Sequence, residues 1–294
     1  MSVVTIVVAI CMAVAIGIAV YLWWRQRSRT TLSFKTQFGT ARVYTILQDE
    51  RTGLHQANPG DGTPEIPIRV LELGGTLQSA TFLDERCYDL VFDYFRCFNR
   101  VFELPFEVGS VLMLGGGGYA WPKYVISHYP EVHMDVVEID PVITSIAKRY
   151  FYLDRLIVEF ETEETGRLEL ICDDARHYLE TSGATYDVIV NDCFAGNDIQ
   201  GPLDSPEVVK AIKEHLSPGG VYAANVISAL KGKDARVIAL AETLKAQFAH
   251  VWCLPCSDRP LENMGNNVVF ATDGPYRFRG AIELLGMQRG HEKP

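Results

Sequence analysis

Residues 112–125 read LMLGGGGYAWPKYV and place four consecutive glycines between an apolar run of strand length and the start of a helical pattern. One or two glycines suffice for a tight turn, whereas four in a strand–turn–helix context indicate a loop whose backbone approaches a nucleotide-like ligand. An aromatic residue, Tyr119, follows Gly118, so the loop lacks the G-x-G-x-x-G spacing of a dinucleotide binder. The predicted ligand-contacting glycines are Gly115, Gly116, Gly117 and Gly118.

The chain from residue 110 onward alternates apolar runs of strand length with segments of helical periodicity. This alternation predicts an α/β fold with a mostly parallel, doubly wound sheet of Rossmann-like type. Ligands of such sheets bind at the carboxyl ends of the strands. We therefore expect the functional residues at the positions where the apolar runs end.

Acidic residues stand at the ends of the second and third predicted strands. The stretch VVEID brings Glu138 to a position about 20 residues after the glycine loop, where an acid accepts hydrogen bonds from ribose hydroxyls. The stretch CDDA places Asp173 and Asp174 where a carboxylate can accept a hydrogen bond from the amino group of an adenine. With the glycine loop, these acids describe an adenosine pocket without a pyrophosphate, the pattern of class I S-adenosylmethionine (AdoMet) proteins. Each acid alone could instead cap a helix, but several in sequence order favour the pocket.

A small antiparallel β unit is predicted upstream, over residues 31–83, and its clearest element is a hairpin that turns at Gly74 and Gly75. Apolar residues at helical spacing then predict a helix over residues 85–98. The predicted domains are residues 1–29 for a membrane anchor and its basic flank, 30–98 for the β unit and linking helix, and 99–294 for the Rossmann-like catalytic domain.

The N-terminal segment, residues 3–24, has no charged residue and is long enough to cross a bilayer core of about 30 Å as a helix. Arg25, Arg27 and Arg29 follow it, whereas a cleaved signal peptide carries its charges before the apolar run. The pattern predicts a single-pass membrane protein with its catalytic domain on the cytoplasmic side. The alternative is a buried helix, which would have to hide a surface that is apolar all round.

The composition of the chain restricts the kinds of ligand that the protein is expected to bind. The formal net charge of −10 argues against nucleic acid as a ligand and is compatible with a small cationic substrate. Seven cysteines are scattered along the chain, and the C-x-x-C pair of Cys253 and Cys256 has no second pair or histidine at zinc-like spacing. We therefore expect structural cysteines in a reducing compartment and no metal site.

Over roughly residues 35–275 the sequence resembles the spermidine synthases and their membrane-anchored relatives. The matching stretches are LGGTLQSATFLDERCYD, GGGGY, VVEIDP, CDDA and YDVIVND, in that order. The resemblance implies that Gln78 contacts the nucleoside or its thioether, that Glu138 binds the ribose and that Asp174, or Asp173 in a shifted register, binds the adenine. It further implies that Tyr88 and Asp89 line an amine site.

Asp192, at the end of YDVIVND, is the catalytic residue that the resemblance implies. Aminopropyl transfer requires an amine to attack the carbon next to a sulfonium, and the amine must first lose a proton. A carboxylate within hydrogen-bond reach can accept that proton and align the nucleophile. The resemblance also implies decarboxylated AdoMet as co-substrate, a small cationic amine as acceptor, and a homodimer.

Three departures from the family pattern bear on the reaction. Spermidine synthases carry an acid where this chain has Gly118, and that acid pairs with the amine of decarboxylated AdoMet. A second family acid, three residues after the catalytic one, is replaced here by Ala195, although Asp198 could substitute for it or could be a solvated loop residue. Asp89 replaces a glutamine and keeps the amine site acidic.

These departures leave three functional hypotheses open. The first is an aminopropyltransferase that acts on a polyamine, and Asp192 and the β unit favour it. The second is a methyltransferase that uses AdoMet itself, and Gly118 favours it. The third is a nucleoside-binding protein with little catalysis, held at the membrane.

Overall fold

The computed structural model describes residues 31–49, 53–56, 65–195, 198–199, 205–232 and 236–284. Across these ranges, no helix has the length and apolar character needed to span a membrane. The predicted anchor at residues 3–24 and its arginine flank lie outside the described residues.

The N-terminal part of the described chain forms an antiparallel sheet in the order β1-β2-β4-β5, with β3 paired to β2. The predicted hairpin is confirmed, because β4 and β5 pair across Gly74 and Gly75, whose φ angles of 60° and 83° suit glycine. The strands are β1 (Leu32–Thr36), β2 (Gly39–Asp49), β3 (Gly53–Gln56), β4 (Glu65–Leu73) and β5 (Thr76–Phe82).

The helix predicted over residues 85–98 is wrong in its first half. Residues 84–92 form turns, and only Asp93–Phe98 (α1) is helical before a 3₁₀ turn at Asn99–Glu103. The carboxylate of Asp84 accepts hydrogen bonds from the backbone and side chain of Arg86, an arrangement that competes with helix formation. The consecutive apolar residues 90–92 are all buried, which one face of a helix could not achieve.

An eight-stranded sheet follows in the order β15-β13-β14-β12-β9-β6-β7-β8. The five strands from β8 to β12 in this order are parallel, as predicted, whereas β14 runs antiparallel between β12 and β13. The strands are β6 (Ser110–Leu114), β7 (His133–Glu138), β8 (Leu168–Cys172), β9 (Tyr186–Asn191), β12 (Leu216–Ser228), β13 (His250–Pro255), β14 (Gly265–Thr272) and β15 (Ile282–Glu283). A separate two-stranded ribbon consists of β10 (Phe194–Ala195) and β11 (Asp198–Ile199).

Helices connect the strands and cover both faces of the sheet. Asp140 and Ser205 cap the two helices that begin with proline, where the missing N–H has no cost. The helices are α2 (Ala120–His128), α3 (Pro141–Tyr150), α4 (Leu153–Glu159), α5 (Thr162–Thr165), α6 (Ala175–Thr181), α7 (Pro206–Glu214) and α8 (Arg236–Lys245).

A buried lysine joins the β unit to the large sheet. Lys123 on α2 is 1% exposed, and its Nζ donates hydrogen bonds to Thr81 Oγ1 at 3.3 Å, Cys87 O at 3.1 Å and Phe151 O at 2.5 Å. Burial lowers the pKa of this lysine to about 7. The Asp140 carboxylate adds a second connection, because it accepts a hydrogen bond from Gln37 N in the β1–β2 turn. The two sheets therefore pack as one body at the edge where the glycine loop lies.

Candidate active site

A cavity of about 530 Å³ opens over the carboxyl ends of the parallel strands and is covered by the β unit and α1. Most of the residues predicted to bind a nucleoside line it. They are Gln78, Gly115, Gly116, Gly117, Glu138, Asp173 and Asp174, and the predicted catalytic residue Asp192 lines the cavity as well. Acidic strand ends thus converge at one edge of the sheet, as the strand–helix alternation predicts.

Glu138 organises the glycine loop. Its Oε2 accepts hydrogen bonds from Gly116 N and Gly117 N, both at 3.0 Å, and its Oε1 accepts one from Asp140 N at 3.0 Å. Burial raises the pKa of Glu138, and the three backbone donors oppose that rise because they favour the carboxylate. A carboxylate has about four acceptor positions, so capacity remains for a ligand hydroxyl.

The glycines are required mainly by neighbouring protein atoms. A Cβ on Gly115, whose φ is 92°, would lie 2.7 Å from Asp192 O, and a Cβ on Gly116 would lie 2.7 Å from the ring of Tyr119. A Cβ on Gly118 would lie 2.4 Å from the Oγ of Ser79. Gly117 alone of the four has no atom within 4 Å of such a Cβ. Gly118 packs against Ser79 and does not line the cavity, unlike the other three, and contact of these glycines with a ligand stays a prediction.

We expect Gly118→Ala and Gly118→Asp to lower the free energy of unfolding by about 1–3 kcal/mol, because overpacking forces the neighbours apart. The Cβ of Ser79, only 2.6 Å away, is fixed by the backbone of β5 and cannot rotate aside. Adding Ser79→Gly should restore most of the loss. Denaturant unfolding measures the effect, with Gly183→Ala as a control at a position without close neighbours. Equal stabilities of the single and double variants would contradict the contact.

The two acids after β8 have different protein partners. Asp174 caps α6, because its Oδ1 accepts hydrogen bonds from Arg176 N at 2.9 Å and His177 N at 3.0 Å. The Asp173 carboxylate lies 2.8 Å from the Nδ1 of His177, and this hydrogen bond lowers the pKa of Asp173. Capping and cavity lining are thus combined in Asp174, and the two interpretations of the strand-end acids are not exclusive.

Asp192 directly follows β9. It lies between the residues that were predicted to bind the nucleoside and the part of the cavity over β12 and β14. Its Oδ1 accepts a hydrogen bond from Asn225 Nδ2 at 2.9 Å, and its Oδ2 accepts one from Tyr94 OH at 3.1 Å. Burial raises the pKa of Asp192 to about 7 although both hydrogen bonds favour the carboxylate. The Oδ1 of Asn225 is buried without a hydrogen-bond partner in the described part of the chain, and Asn225 also lines the cavity. Two acceptors are therefore available to one ligand amine.

Residues 103–253 match the family model of the spermine/spermidine synthase domain, which covers half of the chain. The chain belongs to the spermine/spermidine synthase family. The resemblance to the spermidine synthases that the sequence suggested is therefore confirmed.

Individual relatives agree with this family. The chain is 34% identical over 164 residues to the polyamine aminopropyltransferase of Vibrio vulnificus, a match that covers 55% of this chain and 52% of the relative. The chain thus spans about half the length of the curated relatives it matches. A probable spermidine synthase from Corynebacterium glutamicum has a similar fold, with a TM-score of 0.63 at 20% identity, over 84% of this chain and 81% of that one. A spermidine synthase solved with the transition-state analogue AdoDATO gives a TM-score of 0.58 at 18% identity, over 84% and 74%.

Two residues that the spermidine synthase pattern assigned to an amine site lie elsewhere. Tyr88 donates a hydrogen bond to Glu159 on α4, and Asp89 lies 3.8 Å from His128 on α2; neither lines the cavity. A different tyrosine, Tyr94 on α1, lines the cavity and donates a hydrogen bond to Asp192. For Asp198 only the backbone is described, paired with Ala195, so its role remains a prediction.

Sequence reasoning missed Tyr94 and Asn225. Asn225 could have been noticed, because it is a single amide within the apolar strand VYAANVI, which neighbours the strand that ends at Asp192. Tyr94 had no such signal, because the surrounding VFDYFRCF has the appearance of core. Among the described residues, no group of His, Cys, Asp and Glu side chains is arranged to hold a metal ion.

Proposed function

We propose that the protein transfers an aminopropyl group from decarboxylated AdoMet to a small cationic amine such as putrescine. The observation that carries this proposal is the Asp192 carboxylate, which is held in the cavity by Tyr94 and Asn225. Asp192 lies beside the part of the cavity that Glu138 and Asp174 line, where we place the adenosine of the donor. This position supports a reaction at the sulfonium that adjoins the adenosine. The names of the curated relatives and the AdoDATO complex of a structural neighbour are consistent with it.

The proposed reaction needs one proton transfer and one displacement. The acceptor ammonium gives a proton to the Asp192 carboxylate, and the resulting amine attacks the methylene carbon next to sulfur. The carbon–sulfur bond breaks, its electron pair returns to sulfur, and methylthioadenosine leaves as a neutral thioether. A base with a pKa of about 7 is suited to this step, and the Asn225 Oδ1 can accept a second hydrogen bond from the amine.

A product assay tests the reaction. The full chain is incubated with putrescine and either decarboxylated AdoMet or AdoMet, and methylthioadenosine and S-adenosylhomocysteine are quantified. The proposal requires methylthioadenosine from the decarboxylated donor. S-adenosylhomocysteine from AdoMet, with a methylated acceptor, would establish methyl transfer, the second candidate that Gly118 favours. Calorimetric binding of either nucleoside without any product would leave the third hypothesis, a binding protein.

The pH dependence of kcat/KM should show an acid limb with an apparent pKa of about 7. Asp192 acts only as the carboxylate, so kcat/KM should fall roughly tenfold per pH unit below that value. Asn225→Ala should move the limb to higher pH, because it removes a hydrogen bond that favours the ionised form. A limb near the ordinary aspartate pKa of 3.8 would contradict the assignment.

We further propose that residues 3–24 anchor the protein in the membrane with the described domain on the cytoplasmic side, and that the protein is a homodimer. The uncharged segment followed by arginines supports the anchor, and the family resemblance supports the dimer. Carbonate extraction of membranes and protease protection in vesicles test the anchor and its orientation. Light scattering of the detergent-solubilised full chain tests the dimer.

A further inference from the structure

Two thiols lie between the active-site cavity and a second cavity. Cys97 is on α1, Cys256 directly follows β13, and their thiols are close enough to interact with each other. Cys256 lines the active-site cavity, whereas Cys97 lines the second one. Each thiol is partly exposed, and neither is in a disulfide. The pair is thus reachable from solvent-filled space on both sides.

The second cavity places three arginines near Cys97, each of them in an ion pair with a carboxylate. Its charged lining consists of Arg86, Arg96, Arg100, Asp89, Glu103 and His128. Arg100 forms an ion pair with Glu103 through Nη1, but its Nε is buried and has no hydrogen-bond partner in the described chain. Contact with Cys256 and the charge of Arg100 lower the pKa of the Cys97 thiol, although burial opposes them. The Cys256 thiol faces the other cavity and donates to Leu254 O at 3.7 Å. The positions of the two thiols therefore suit Cys97 as the attacking thiol and Cys256 as the resolving thiol.

We propose that Cys97 and Cys256 are a peroxide-sensitive site that forms a reversible disulfide. The Cys97 thiolate attacks one oxygen of hydrogen peroxide, and the O–O bond breaks to give a sulfenic acid and hydroxide. The Cys256 thiol then attacks the sulfenic sulfur, the disulfide forms, and water leaves. Overall, two thiols are oxidised and the peroxide is reduced to two waters. A dithiol reductant reverses the change.

The other described cysteines lack this combination. Cys172 is exposed and lines neither of the two cavities. Burial raises the pKa of Cys193 and of Cys253. Both therefore stay protonated, and a protonated thiol is a poor nucleophile. If exposure alone decided which cysteine peroxide oxidises first, it would be Cys172. If a neighbouring thiol decides, it is Cys97. This difference makes the proposal testable against a simple accessibility effect.

The disulfide would also act on the catalytic residue. Cys97 and Tyr94 lie on the same helix, and Tyr94 donates the hydrogen bond to Asp192. A disulfide between α1 and the end of β13 would fix this helix against β13 and its neighbour β14 at the border of the cavity. We expect turnover to fall at least severalfold in the linked form and to return after reduction. This second part rests on the proposed function.

The test treats the reduced full chain with a slight excess of hydrogen peroxide, blocks remaining thiols with an alkylating reagent, and maps peptides without reductant. We expect a linked peptide joining Cys97 to the peptide that holds both Cys253 and Cys256, with the loss of two hydrogens. Cys256→Ser and Cys97→Ser should abolish the link, whereas Cys253→Ser and Cys172→Ser should retain it. Dithiothreitol should restore both thiols and the turnover.

Three results would overturn the proposal. They are oxidation of Cys172 before any link appears, a link that persists in Cys256→Ser, and a linked protein with undiminished turnover. The peptide map needs no enzymatic activity. A reduced protein that releases no methylthioadenosine would therefore refute the proposed function while the map still decides the thiol pair.

Discussion

Asp192→Asn is expected to lower kcat by about 10²–10⁴-fold, because it removes the group that accepts the amine proton. The asparagine can keep the local hydrogen bonds: its oxygen can accept from Asn225 Nδ2, and its amide can donate to the Tyr94 hydroxyl. Donor affinity should therefore stay close to that of the unchanged protein. Pre-steady-state release of methylthioadenosine, with calorimetry of donor binding, separates these two effects.

The stability of this variant provides the control. The pKa of Asp192 is raised from 3.8 to about 7 in the folded protein, so the folded state becomes less stable as the pH rises through that window. Asparagine does not ionise, and Asp192→Asn should be at least as stable as the unchanged protein above pH 7. A large loss of turnover with undiminished stability supports catalysis. Unchanged turnover would remove Asp192 from the mechanism.

Glu138→Gln is expected to weaken donor binding by at least about tenfold, which corresponds to roughly 1.4 kcal/mol. The carboxylate accepts from Gly116 N, Gly117 N and Asp140 N, and charged hydrogen bonds contribute about 1.5–3 kcal/mol each. A glutamine amide presents one oxygen and one NH₂, so at least one backbone N–H must face another donor. The loop should shift, and the ribose should lose its acceptor.

Calorimetry with methylthioadenosine measures this loss without requiring turnover. Hydrogen exchange at the amides of Gly116 and Gly117 should accelerate at the same time. Glu169→Gln is a matched control, since Glu169 is an exposed acid on the adjacent strand β8 and the substitution changes charge equally. If Glu138→Gln binds the nucleoside as tightly as Glu169→Gln does, the carboxylate is not needed for the ligand.

Local pattern was sufficient to predict the strands that hold the site. Glu138, Asp174 and Asp192 each end an apolar run, and parallel strands bring such ends to one edge regardless of their distance along the chain. The hairpin at Gly74 and Gly75 was likewise predicted from neighbouring residues alone. These features depend on periodicity and turn chemistry, which a single sequence displays.

The remaining features depend on contacts between distant segments. Gly118 is determined by Ser79, which lies on a strand of the other sheet. Tyr88 lies against Glu159 and Tyr94 against Asp192, two contacts across long stretches of chain that periodicity does not predict. Cys97 and Cys256 come from α1 and the end of β13, two elements that are far apart in the sequence. The periodicity of a sequence does not predict contacts between segments that are far apart along the chain.

The Lys123 ammonium ties together three segments: β5, the turns before α1 and the end of α3. Separating the β unit from the large sheet would leave this amine and its oxygen acceptors in an apolar interior without partners, a loss that neither part could recover alone. The two sheets should therefore unfold in one cooperative transition. Fluctuations that open the cavity should accordingly arise within loops, while the two sheets keep their mutual orientation throughout turnover.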